Sequence, residues 1–376
     1  MKKERESNYE LMKIMAMFAI VLWHTILHGK AFDVANEESF FILRSIFYLL
    51  IVHVNLFIMV FGFYQVNKKF NIKKIFAILL EVLFYNVVIN CTLKYTGLVT
   101  YASNTEFLRQ LLFFNLSSCW FIAYYLLLYI ISPFLNKFLL SLDKRKFIQL
   151  LVCLIFIDSI IPAFTNGLFY TNDSYGLLHF ITIYTIGAYI KLFNINGKIL
   201  PKFNTSQKRL TYIIIYLFCA LFTLSLFYLS RNMIQIKSNI IGDLGFMIDN
   251  HFTKYTYNQP IVVIQTVAVF LLFGTFNFKN KLINYLSSCT MGIYLIHDAV
   301  FLRLNEYKWL HIADPNLSNG KGLLLRVFVG ALIIFFGCII IESIRKLLFN
   351  ILDKVKWIRN IKEKFINWIN RLIQIN

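Results

Sequence analysis

A histidine deep inside an apolar run holds a base where few other polar groups compete for it, and two such residues stand out in this chain. In KIMAMFAIVLWH, ten residues separate Lys13 from His24, with no other ionisable group between them. On a helix, eleven steps place the two groups about 16 Å apart along the axis. If Lys13 lies at a membrane face, His24 falls slightly beyond the middle of the bilayer. Ionisable groups at such depth are expensive and face a polar cavity rather than lipid. His28 follows one turn later on the same face. A second run, SSCTMGIYLIHD, carries Tyr294 and His297 one turn apart, and counted from the same membrane face His297 reaches a depth comparable to His24. A neutral imidazole there suits removal of a proton from a hydroxyl as it attacks an activated acyl carbonyl. A histidine hydrogen-bonded inside a helix bundle satisfies the same pattern, because buried polar groups are normally paired.

Further candidates line up behind these. HVNLFIMVFGF places His53 and Asn55 at mid-depth of another apolar run, with Asn55 a candidate cavity-lining residue. CWFIAYYLLLYIISPFLN brings Trp120, Tyr124 and Tyr125 near the start of a span, where such residues form either an interfacial belt or a stacking surface for a sugar ring. Asp158 and His179 are isolated polar residues of the kind that hold helices together. The six cysteines stand singly, without metal or redox spacing. The sequence has no Gly-rich phosphate loop, HExxH or GxSxG, so no metal and no permanently bound cofactor is expected.

The elements that must carry these residues are membrane helices. With 58% hydrophobic residues, 15% charged residues and a mean hydropathy of +0.63, the 376-residue chain holds more apolar surface than a soluble domain can bury. Apolar runs near residues 10–28, 43–64, 75–96, 118–140, 147–165, 174–193, 210–230, 260–277, 283–304 and 322–345 predict an all-α, polytopic bundle of about ten transmembrane helices. The net charge of +19 does not read as nucleic-acid binding, because the basic residues gather in short segments between apolar runs. About 25 of the 38 Lys and Arg fall on one side of the alternation and about 12 on the other, which predicts both termini in the cytosol. Residues 1–345 form the membrane domain in this reading. The tail 346–376, with Trp357, Phe365 and Trp368 among Lys and Arg, is expected to lie as an amphipathic helix on an anionic leaflet. The segment Arg231–Gln259 is expected to contain a re-entrant or surface helix.

Residues alone leave open an acyltransferase, a secondary transporter, a polysaccharide flippase and a polymerase. Taken together, YELMKIMAMFAIVLWHTILHG, VNLFIMVFGFY, WFIAYYLLLYIISPFLN, YTIGAYIKLF and SSCTMGIYLIH, spread over residues 9 to 300, resemble the membrane acyltransferase-3 family of bacterial surface-glycan O-acyltransferases. The resemblance implies a multi-pass protein of the bacterial plasma membrane. It implies His24 as the catalytic base, with Lys13 where the family typically carries an arginine that contacts the donor, and Phe61 where many members have serine. Lysine offers one compact charge in place of a planar fork. The resemblance further implies acetyl-CoA as acyl donor and a polysaccharide or lipid-linked glycan as acceptor, with Trp120, Tyr124, Tyr294 and His297 around the substrates.

Overall fold

Several helix beginnings among the described residues are capped by Asn or Asp. Asn36, Asn71, Asp143, Asn204 and Asn280 each accept a backbone N–H from the first turn they precede, and Asn204 with Gln207 forms a reciprocal capping box. Each cap stabilises its helix start by about 1 kcal/mol. The structure, a computed structural model, describes residues 6–112, 119–165, 174–236, 239–254, 256–314 and 320–352, with isolated positions 354, 360, 364 and 367. Among the described residues there are helices and no strands.

The first half holds α1 (Asn8–His28), α2 (Glu37–Leu50), α3 (His53–Gln65), α4 (Ile72–Tyr95), α5 (Asn104–Leu112), α6 (Trp120–Leu140) and α7 (Lys144–Ile155). A π-turn, Phe156–Ile160, joins α7 to α8 (Ile161–Phe164). Then come α9 (Leu177–Leu192), α10 (Ile195–Lys198), α11 (Thr205–Gln235), α12 (Asn239–Phe252) and α13 (Pro260–Gly274). The chain continues through α14 (Lys281–Ser288), α15 (Thr290–His297), α16 (Val300–Trp309) and α17 (Gly320–Leu352).

Among the described residues, seven segments are long and apolar enough to cross a membrane: Asn8–His28, Glu37–Gln65, Ile72–Tyr95, Trp120–Leu140, Lys144–Phe164, Thr205–Gln235 and Gly320–Leu352. They coincide with seven of the ten expected spans. The sixth and eighth are the shorter apolar helices α9 and α13, of 16 and 15 residues. The ninth, expected as one span over 283–304, is instead broken into α14, α15 and α16. Its Ser288 and Thr290 hydroxyls donate back to the carbonyls of Tyr285 and Ser287, at 2.6 and 2.9 Å, a local bonding pattern that competes with a straight helix. The result is an all-α polytopic membrane bundle. α12 supplies the helix expected between Arg231 and Gln259. α17 runs past residue 345 to Leu352; beyond it the predicted amphipathic tail lies outside the described residues, save four isolated positions.

Burial divides the helices into two kinds. On α9, Thr182 through Ala188 are all buried, as expected of a helix apolar all round that sits inside a bundle. α4, α6, α11 and α17 instead leave Leu80, Phe134, Phe218 and Ile340 exposed, the side chains a lipid-facing helix presents. At the centre α3 crosses α9 through two glycines. A Cβ on Gly62 would strike the carbonyl of Tyr184, and one on Gly187 the carbonyl of Met59, so small residues permit backbone-to-backbone approach. Tyr184 donates to Asn136 Oδ1 at 2.6 Å, and Asn136 donates to the carbonyl of Gln65 at 3.0 Å, tying α9, α6 and α3 together.

Candidate active site

A cavity of about 920 Å³ runs through this core. One end is lined by Lys13, Lys68, Lys74 and Lys191 together with Glu6 and Glu10. These residues meet because α1 and α4 begin there while α3 and α9 end there. Lys191 Nζ sits over the Phe63 ring at 4.8 Å, and the start of α1 is held by Ser7, whose N–H donates to the carbonyl of Phe278 at 3.0 Å. Lys13 pairs with Glu10 at 2.7 Å, and Glu10 accepts from Ser287 Oγ at 2.5 Å. The donor-side residue read from sequence therefore lies at the cavity mouth, shares its charge with a neighbour, and has three further lysines beside it.

His24 lies further along α1 on the same cavity wall and keeps 18% of its side chain exposed. Its Nδ1 stands 3.1 Å from His297 Nε2, and His297 Nδ1 stands 2.6 Å from the carbonyl oxygen of Ile293. A carbonyl only accepts, so His297 carries its proton on Nδ1 and, when neutral, offers Nε2 as the acceptor. His24 Nδ1–H then donates to His297, which leaves the lone pair of neutral His24 on Nε2. The hydrogen-bond chain thus fixes both the ring and the tautomer of neutral His24. His297 is buried behind His24 and does not line the cavity. α15 holds it through Gly292, which packs against the Glu342 carboxylate; Tyr85 Oη donates to that carboxylate at 2.5 Å and Arg345 at 2.7 Å.

At the other end the wall is aromatic. Trp120 lines it, stacked on Tyr257 with ring centres 6.2 Å apart and edge-on to Tyr175 at 4.5 Å. Tyr294 lines the cavity too, whereas Asn55 and Tyr124, like His297, are not among its lining residues. Asn55 is fully buried, accepting from His179 Nε2 at 2.8 Å and donating to the carbonyl of Tyr257 at 2.8 Å. Tyr124 packs on Phe180 at 5.7 Å, and its neighbour Tyr125 takes the place on the wall. The pair left as packing residues, Asp158 and His179, is joined at 2.8 Å and completes the network behind Asn55. Sequence reasoning named Tyr125 beside Trp120 and Tyr124, but it did not single out Tyr257, Tyr175, Arg303 or the three extra lysines as lining residues. The one signal at hand was Asp298 directly after His297: it binds Arg303 at 2.7 Å and lies 3.7 Å from His24 Nδ1.

His24, His28 and Asp298 have ligand atoms within 4.8 Å of one another, the single trio among the described residues with a spacing that suits a metal. Arg303 places a positive charge on Asp298, where a cation needs a free carboxylate. The trio therefore fits a base with a polar surround better than a metal centre.

No curated protein and no solved structure matches the chain. The sequence profile of the acyltransferase-3 family, described as an acyltransferase domain, matches residues 6–343. That span takes in the lysine mouth, both histidines and every helix around the cavity, so the chain is a multi-pass membrane protein belonging to the acyltransferase-3 family.

Proposed function

We propose that this membrane acyltransferase moves an acetyl group from acetyl-CoA to a hydroxyl of a cell-surface glycan in the bacterial plasma membrane, with His24 as general base. The observation that carries the reading is the hydrogen-bond chain from the Ile293 carbonyl through His297 to His24, which directs the basic Nε2 of His24 away from its partner. In the proposed step, His24 Nε2 takes the proton of the acceptor hydroxyl as its oxygen attacks the thioester carbonyl. The tetrahedral intermediate collapses, the C–S bond breaks, and the CoA thiolate leaves with the proton held by His24. The imidazole is regenerated, and one thioester has become one ester and one thiol.

The two ends of the cavity support this choice of substrates. CoA carries phosphates, and Lys13, Lys68, Lys74 and Lys191 gather positive charge at one mouth. From Lys13, the axial distance of about 16 Å to His24 suits a pantetheine arm. Trp120, Tyr175 and Tyr257 at the opposite end offer flat apolar faces of the kind on which sugar rings stack. Holding the two reactants in line within one cavity supplies proximity and limits hydrolysis of the thioester. Deleting the gene is expected to remove O-acetyl groups from a surface glycan, read by proton NMR of the purified polymer, with chain length unchanged. An unchanged acetyl signal with a shortened or missing polymer contradicts the reading and favours polymer export or assembly.

A further inference from the structure

His53 begins α3 on the cavity wall, is 2% exposed, and has no hydrogen-bond partner at either ring nitrogen. Two neighbouring imidazoles are paired: His24 with His297, and His179 with both Asp158 and Asn55. A neutral imidazole has one N–H to donate and one lone pair to fill. The ring of His53 is gripped instead by aromatic neighbours, edge-on to Trp23 at 5.3 Å and to Tyr257 at 5.6 Å. Stripping two polar atoms of water without replacing their bonds is unfavourable, and a ligand in the adjoining cavity is the available source of those bonds.

The position of the ring indicates which ligand. Gln65, at the far end of α3, lies in the lysine mouth, so His53 stands about 18 Å away along the helix axis, at twelve steps of 1.5 Å. Trp23 places it beside His24, and Tyr257 places it beside Trp120 and Tyr175. It therefore sits between the base and the aromatic end, on the side away from the lysines. A thioester carbonyl only accepts hydrogen bonds. A sugar hydroxyl both donates and accepts, and so matches either edge of the imidazole whichever nitrogen holds the proton.

We propose that His53 is an acceptor-binding residue, hydrogen-bonding hydroxyls of a polyhydroxylated substrate and thereby setting which hydroxyl reaches His24. The proposal rests on the reading of the acceptor as a glycan. No covalent bond changes at His53 itself. A site built to hydrogen-bond a hydroxyl discriminates by leaving its own polar atoms unpaired when the wrong group arrives, so loss of the imidazole costs acceptor binding rather than donor binding.

The test uses the full chain in proteoliposomes with labelled acetyl-CoA and, as acceptor, the producing cell's own surface polysaccharide stripped of O-acetyl groups by mild alkali. His53→Phe keeps an aromatic ring and removes both nitrogens; His53→Gln keeps one donor and one acceptor. His53→Phe is expected to raise the KM for polysaccharide about tenfold or more, to leave the KM for acetyl-CoA unchanged, and to be partly rescued by His53→Gln. Transfer by the wild type with an unchanged polysaccharide KM in His53→Phe, or with the acetyl-CoA KM rising instead, overturns the assignment of His53 alone. A wild type that moves no label onto the polysaccharide overturns the glycan reading and this proposal with it. Should His53→Phe fail to reach the membrane, His53→Ala takes its place: a raised polysaccharide KM is expected, and one equal to wild type contradicts the proposal.

Discussion

The proposed role of His24 turns on which ring nitrogen holds the proton, and the second histidine decides it. His297 receives its instruction from the Ile293 carbonyl and passes it on at 3.1 Å. Replacing His297 with Leu removes the acceptor for His24 Nδ1–H, and misplacement of a catalytic group by about 1 Å costs about 100-fold. His297→Leu is therefore expected to lower kcat by about that factor, with the KM for acetyl-CoA unchanged. His297→Gln places an amide oxygen near the position of Nε2 and should recover a large part of the loss; equal kcat in the two variants contradicts the relay. The two histidines were legible in the sequence because each interrupts a long apolar run at matching depth. Their direct bond was not, since residues 273 positions apart meet only through the packing of α1 and α15. Asn55 and Tyr124 point to the same limit: their depth was readable, but whether a side chain faces a cavity or a neighbouring helix depends on rotation about the helix axis.

Among the elements, the crossing of α3 and α9 stands behind one wall of the cavity. α3 lines that wall along its length and α9 reaches it at Lys191, and Gly62 and Gly187 let the two backbones touch. Gly187→Leu forces a side chain into the Met59 carbonyl and is expected to destabilise the protein by about 1–3 kcal/mol or more. Gly337 offers a control, because nothing stands within 4 Å of the Cβ added there. Thermal unfolding of the purified protein in detergent should show a lower Tm for Gly187→Leu and little change for Gly337→Leu; equal Tm values contradict close packing at the crossing. Long lipid-facing helices were readable from hydropathy alone. The break in the ninth apolar run was not, because the Ser288 and Thr290 hydroxyls bonded beside it lower an apolar average too little to mark it. The π-turn has a clearer origin. Pro162 lacks the N–H that would bond the Asp158 carbonyl four residues earlier, and Asn258 Nδ2 donates to that carbonyl at 2.7 Å instead.

For the whole molecule, charge and aromatic character separate along one axis. The lysine mouth collects the start of α1, the end of α3, the start of α4 and the end of α9, which is the alternation expected of antiparallel spans with their basic connections on one side. The opposite end collects Trp120, Tyr175 and Tyr257. Between them the cavity passes His24, so in the proposed reaction a donor and an acceptor approaching from opposite ends meet at one imidazole. The most direct measurement is transfer of labelled acetyl from acetyl-CoA to deacetylated surface polysaccharide in membrane vesicles, comparing wild type with His24→Ala at equal membrane abundance. The wild type is expected to label the polymer, and His24→Ala to fall by about 100-fold or more, the scale on which general-base catalysis acts. Substantial labelling by a well-inserted His24→Ala protein would contradict the assignment of His24 as the base.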